Sequence, residues 1–191
     1  MRKGIKHKYI KIYLYFMNIK QKLVISQLIR IMSTIIVLFF FKIPLYLKII
    51  LILYFDCFDC PRILTDYFNI KWISCRDIHY QKSDKITDTI CYLILLLYII
   101  QKKALSDINI QFITLLFIYR LFGVILFLIK NNRKYLFYFP NFFLEITLVL
   151  SLFNRFSLFK ITTQYLIIIL IMVLKIFQEY LLHFTIRKNH R

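Results

Sequence analysis

The sequence predicts an all-α protein: a polytopic transmembrane bundle of about six helices. Hydrophobic residues make up 60% of its 191 positions, more than a soluble domain carries. They gather in long runs instead of scattering, and Gly4 and Gly123 are the only glycines, so little interrupts a helix. An unbroken helix keeps every backbone N–H and C=O paired in hydrocarbon, where water cannot. Each crossing takes about 20 apolar residues, so a chain of this length has room for about six.

The chain opens on a basic segment, 1–22, in which Tyr and Ile interrupt the cations. The apolar run that follows is too long for a signal peptide and lacks a small-residue cleavage site, so none is expected. Residues 9–17, with Lys11 among Ile10, Tyr13, Leu14 and Phe16, read either as an amphipathic segment on an anionic leaflet or as a flexible cationic arm. The transmembrane domain is expected over 23–184, from apolar runs at 23–41, 43–56, 84–100, 108–129, 135–153 and 161–184. The second and third are short, which implies tilt or ends lying in the interface. A cytoplasmic loop, 57–83, separates them, and a basic tail, 185–191, closes the chain. The aromatic residues Tyr135, Phe137, Tyr138 and Phe139 suit an interfacial belt.

The formal charge is +18. No basic stretch comes with a soluble domain to present it, so nucleic acid is not an expected partner. Membrane topology accounts for it instead. With the N-terminus cytoplasmic, 17 of the 27 Lys and Arg fall on the inner side, and six, namely Lys42, Lys48, Lys102, Lys103, Arg155 and Lys160, fall in outer loops. That is the asymmetry of the positive-inside rule, and it predicts both termini in the cytoplasm. The remaining four, Arg30, Lys85, Arg120 and Lys175, lie within the runs, where a charge must face a partner or a polar cavity.

Six of the nine acidic residues, Asp56, Asp59, Asp66, Asp77, Asp84 and Asp88, fall between positions 56 and 88. Asp56 and Asp59 are three apart and Asp84 and Asp88 four apart, so each pair shares one helical face. Consecutive antiparallel spans would bring the end of the second and the start of the third to one membrane depth. Four carboxylates meeting there repel one another and need a cation, and oxygen-only ligands favour Mg²⁺, Mn²⁺ or Ca²⁺. The plainer reading is that the aspartates cap helix ends, Asp84 being well placed near an N-terminus.

This pattern resembles the CDP-alcohol phosphatidyltransferases, whose motif D-x-x-D-G-x-x-A-R, eight residues, G-x-x-x-D-x-x-x-D lies between the second and third of six transmembrane helices. Asp56, Asp59, Asp84 and Asp88 fall on its four aspartates, and Gln27-Leu28-Ile29-Arg30 resembles the Arg-bearing start of the first helix. Cys60 stands for the first glycine, Ile63-Leu64 for Ala-Arg and Tyr80 for the second glycine. Asp59 and Asp84 lie 25 positions apart, seven more than in the family. Asp77 has the family distance, but Gln81 gives it no partner.

The resemblance implies that Asp56, Asp59 and Asp84 bind Mg²⁺ or Mn²⁺ holding the diphosphate of a CDP-linked lipid, and that Asp88 is the general base on a small alcohol acceptor. Arg62 would take over from the missing arginine, with Arg120 and Lys175 on substrate phosphate. The expected partners are these two substrates and the surrounding membrane lipids, and a homodimer is allowed. Three alternatives stand beside this one. The first is a non-catalytic multi-pass protein, such as a degenerate relative, whose aspartates only position helix ends. The second is a Cys₃His zinc site from Cys57, Cys60, Cys75 and His79. The third, a prenyltransferase of the ubiquinone type, needs more helices than this length allows. For Lys175 an ion pair with Glu179, and for Arg120 a partner such as Glu145, are the structural alternatives.

Overall fold

The computed structural model describes residues 19–56, 78–156 and 160–181. Among them there are seven helices and no strand: α1 (Ile19–Phe39), α2 (Leu45–Asp56), α3 (Ile78–Lys102), α4 (Asp107–Lys130), α5 (Lys134–Tyr138), α6 (Phe143–Phe156) and α7 (Ile161–Tyr180). The all-helical bundle read from the sequence is what the chain forms. Three stretches, Asp107–Lys130, Lys134–Phe156 and Ile161–Tyr180, are long and apolar enough to cross a membrane, and Leu23–Phe39 is a shorter apolar helix.

Turn chemistry sets the helix ends. Ser106 caps α4, its hydroxyl accepting from the Asn109 N–H at 3.4 Å. Asn131 stops α4 by adopting a left-handed conformation, φ 53°, which asparagine tolerates better than most residues. The run expected unbroken at 135–153 is divided: α5 ends at Tyr138 and α6 begins at Phe143. Pro140 sits in the gap, lacks an N–H and cannot continue the helix. Such a break leaves carbonyls that lipid cannot satisfy. Here α4 supplies the donors. Arg120 Nη1 donates to the carbonyls of Phe139 at 2.5 Å and Leu136 at 3.3 Å, and the Tyr119 hydroxyl donates to the Tyr138 carbonyl at 2.6 Å.

The packing closes a circuit: α1 lies against α2 and α3, α3 against α4, α4 against α6, and α6 against α2. The core inside it includes Leu38, Ile49, Leu95, Ile99, Ile113, Phe143 and Ile146, all fully buried. Helix α7 packs on the outside, against α6 and α5. Ile168 is its one buried residue, while Leu166, Ile169, Leu170, Val173, Leu174 and Phe177 are exposed. A face of that kind belongs against lipid, because in water it would be an aggregation surface. The chain is therefore a membrane protein.

Lys48, which the charge count assigned to an outer loop, lies within α2 and is buried at 4% exposure. Its ammonium donates to the Leu38 carbonyl at 2.6 Å and the Tyr98 hydroxyl at 2.7 Å, 4.5 Å from the centre of that ring. It satisfies one of the terminal carbonyls that α1 cannot pair internally. Between α4, the 139–142 corner and α7 there is an apolar hollow of about 560 Å³, whose lining includes Leu115, Ile118, Phe122, Phe142 and Met172. Of the described motif aspartates, Asp56, Asp84 and Asp88, none lines it.

Candidate active site

A polar seam runs between α1 and α3. Gln27, Arg30 and Thr34 recur at helical spacing on the face of α1 that meets α3, and all three are buried. Ser83 of α3 donates to Gln27 Oε1 at 2.7 Å, and Thr34 lies 3.5 Å from the Cys91 sulfur. The partners advance together along both helices, so the two run parallel. Arg30, midway along the seam, is 3% exposed.

Three aspartates meet on its guanidinium. Nη2 pairs with Asp56 Oδ1, from the last residue of α2, and with Asp88 Oδ1 at 2.5 Å; Nη1 lies 3.5 Å from Asp84 Oδ1. Lys85 closes the other side, its ammonium 2.7 Å from both Asp84 Oδ2 and Asp88 Oδ2. The planar five-donor fork of arginine can serve several carboxylates at once, which the point charge of a lysine cannot. Among the described residues, three carboxylates against two cations leave a formal charge of −1. Helix α3 begins at Ile78, six residues before Asp84. Asp84 and Asp88 are thus interior residues, and helix capping does not explain them.

The structure brings together Asp56, Asp84 and Asp88. Asp59 and Arg62 lie outside the described residues, as do Cys57, Cys60 and Cys75 of the zinc alternative. Arg120 of α4 is buried against the α5–α6 corner, where it donates to the Leu136 and Phe139 carbonyls. Lys175 pairs with Glu145 of α6 at 2.5 Å. The sequence reading offered Glu179 as the partner of Lys175 and Glu145 as that of Arg120; Glu145 pairs instead with Lys175, and Arg120 with those two carbonyls.

Two residues next to the cluster escaped the sequence reading. Tyr92, one turn beyond Asp88 on α3, is 4% exposed, and its hydroxyl accepts from Asn141 Nδ2 at 2.9 Å. Asn141 is placed by the corner at Pro140, so only a reading that saw the break could have found it.

Oxygen-only donors at one point suit a hard divalent ion in chemical kind. In the described arrangement the carboxylates turn onto Arg30 and Lys85, and among the described residues no group of three or more His, Cys, Asp or Glu stands ready to hold a metal ion. Comparison with known proteins yields no matching family model, no matching curated protein and no matching solved structure.

Proposed function

We propose that this protein is a multi-pass membrane transferase of the CDP-alcohol phosphatidyltransferase kind, with both termini cytoplasmic, acting in phospholipid synthesis. It would move a phosphatidyl or similar phospho-group from a CDP-linked lipid to a hydroxyl and release CMP. The observation that carries this reading is the meeting of Asp56, Asp84 and Asp88, from two helices, on one buried guanidinium. Carboxylates are expensive at membrane depth, and their convergence there marks a functional site by default.

Asp56, Asp59 and Asp84 are the residues that would hold Mg²⁺ or Mn²⁺, which supplies neutralisation of the diphosphate charge. Asp88 is the base. It takes the proton of the acceptor hydroxyl as that oxygen bonds to phosphorus and the P–O bond to CMP breaks. Both Asp88 oxygens are engaged at rest, Oδ1 by Arg30 and Oδ2 by Lys85. A diphosphate competes for those same cations, so substrate arrival would loosen the clamp and free an oxygen to act as base.

The same two cations favour a second reading, in which the network is already neutralised and serves only to fix α1, α2 and α3 to one another. The two readings separate on one assay. Purified protein in lipid vesicles with CDP-diacylglycerol and an alcohol acceptor should release CMP with Mg²⁺ or Mn²⁺ and none with EDTA. No release across a panel of acceptors leaves the structural reading standing.

A further inference from the structure

At the end of the bundle opposite the aspartate cluster, side-chain contacts tie several helix ends into one surface. Lys48 of α2 donates to the Leu38 carbonyl and the Tyr98 hydroxyl, and the Phe39 ring meets Tyr98 edge-on at 5.5 Å. These contacts join the end of α1 to the start of α2 and the end of α3. Tyr46 in the first turn of α2 has its ring 5.7 Å from that of Phe156, the last residue of α6. Asn154 of α6 donates to the Ala104 carbonyl in the α3–α4 turn at 3.3 Å. Lys42, Lys102, Lys103, Arg155 and Lys160 are all exposed at this end. Within 38–48, 98–107 and 153–161, Asp107 is the one acidic residue. Five exposed cations against it leave a formal charge of +4 among the described residues.

Helix dipoles explain part of this charge. Lys102 and Arg155 lie in the last turns of α3 and α6, where a cation is favoured, and Asp107 lies in the first turn of α4, where an anion is. Lys42 and Lys103 lie outside the helices, and Lys160 stands at the N-cap of α7, where the dipole opposes a cation. Exposed apolar side chains border the same residues: Phe40, at 76% exposure, and Phe41 precede Lys42, Phe156 follows Arg155 and Ile161 follows Lys160. A soluble polyanion would pair with the cations and leave that apolar border in water. A bilayer leaflet takes both, its phosphates meeting the cations while the rings and aliphatic chains enter the acyl boundary. We propose that this end of the bundle is a docking surface for the headgroups of anionic phospholipids, which it gathers around itself in preference to zwitterionic ones. The surface is independent of the transferase reading, which concerns the other end of the molecule.

The test reads lipid composition at this end alone. Trp72 is the only tryptophan, so the full chain carrying Trp72→Phe and Phe40→Trp has a single indole, beside Lys42. This parent is reconstituted in phosphatidylcholine vesicles containing brominated phosphatidylglycerol or brominated phosphatidylcholine at equal mole fraction, and quenching of the indole compares the two. Phosphatidylglycerol should be favoured beside the reporter by about 5-fold or more, the factor that one basic residue contributes at an anionic surface. Lys42→Gln, Lys102→Gln, Lys103→Gln, Arg155→Gln and Lys160→Gln together should bring the ratio near unity. Should that variant fail to fold, about 1 M salt, where screening acts within about 3 Å, should lower the ratio of the parent in the same way. Equal quenching of the parent by both lipids would overturn the proposal. So would a preference that survives both the substitutions and the salt. Equal quenching, joined to binding of soluble polyglutamate that the five substitutions abolish, would overturn it in favour of a soluble acidic partner.

Discussion

At the scale of single residues, Arg30 is where the account is most exposed. Removing it leaves three carboxylates facing one another with, among the described residues, Lys85 as the cation paired with them. Loss of one partner from a buried ion pair costs about 3–5 kcal/mol, toward the lower end here because Asp56 is 35% exposed. Arg30→Gln should therefore lower unfolding stability in micelles by about 3 kcal/mol, and Arg30→Lys should recover only part of it, since one ammonium cannot reach three carboxylates as the fork does. Equal stability of Arg30→Gln and wild type would show that the cluster is not held by this residue. Among the aspartates, Asp88→Asn keeps a hydrogen-bonding amide but cannot accept the proton, so turnover should fall about 10²–10⁴-fold with metal affinity largely kept. Asp56→Asn and Asp84→Asn should lose metal affinity and turnover together. Full turnover in Asp88→Asn would remove the base assignment.

At the scale of elements, the α5–α6 corner carries the clearest prediction. Gly123 lies where α4 passes the corner, and a Cβ there would overlap Phe139 Cβ and come within 2.8 Å of its ring carbon Cγ. Gly123→Ala must push the corner away from α4 and strain the bonds from Arg120 to the Phe139 carbonyl, at a cost of about 1–3 kcal/mol. A thermal or SDS unfolding midpoint that does not fall would show the corner to be loose. The same corner shows why part of the architecture was not legible beforehand. Six apolar runs and the paired aspartates follow from spacing alone, and each run carries helix, the fifth as two. The division of the fifth run, however, depends on Pro140, whose effect in a membrane is decided by whether a neighbour can satisfy the freed carbonyls. Arg120 and Tyr119 do this from another helix, 16 to 19 positions away, which no local pattern reveals. Arg30 was visible as a costly charge inside a span and in the resemblance of Gln27-Leu28-Ile29-Arg30 to an Arg-bearing first helix. The stripe Gln27, Arg30, Thr34 on α1 was the available signal that this charge faces a polar partner on a neighbouring helix.

For the whole molecule, the claim is that a lipid-facing bundle carries one compact charged site near its cytoplasmic boundary. The proposed topology, six spans with both termini inside, rests on the distribution of Lys and Arg. Burial of Lys48 in α2 removes one cation from the outer side, which widens the bias. Reporter fusions at residues 1 and 191 should both read cytoplasmic, and opposite readings would overturn the topology. The site itself is tested most directly by its affinity for a divalent ion. Mn²⁺ titrated into purified protein and followed by electron paramagnetic resonance should show saturable binding in wild type and a loss of about 10-fold or more in affinity in Asp84→Asn, as removal of one anionic ligand from a hard-ion site requires. Wild-type protein that leaves all Mn²⁺ free, at the same level as Asp84→Asn, would contradict the account and reduce the cluster to the ion pairs of Arg30 and Lys85 alone.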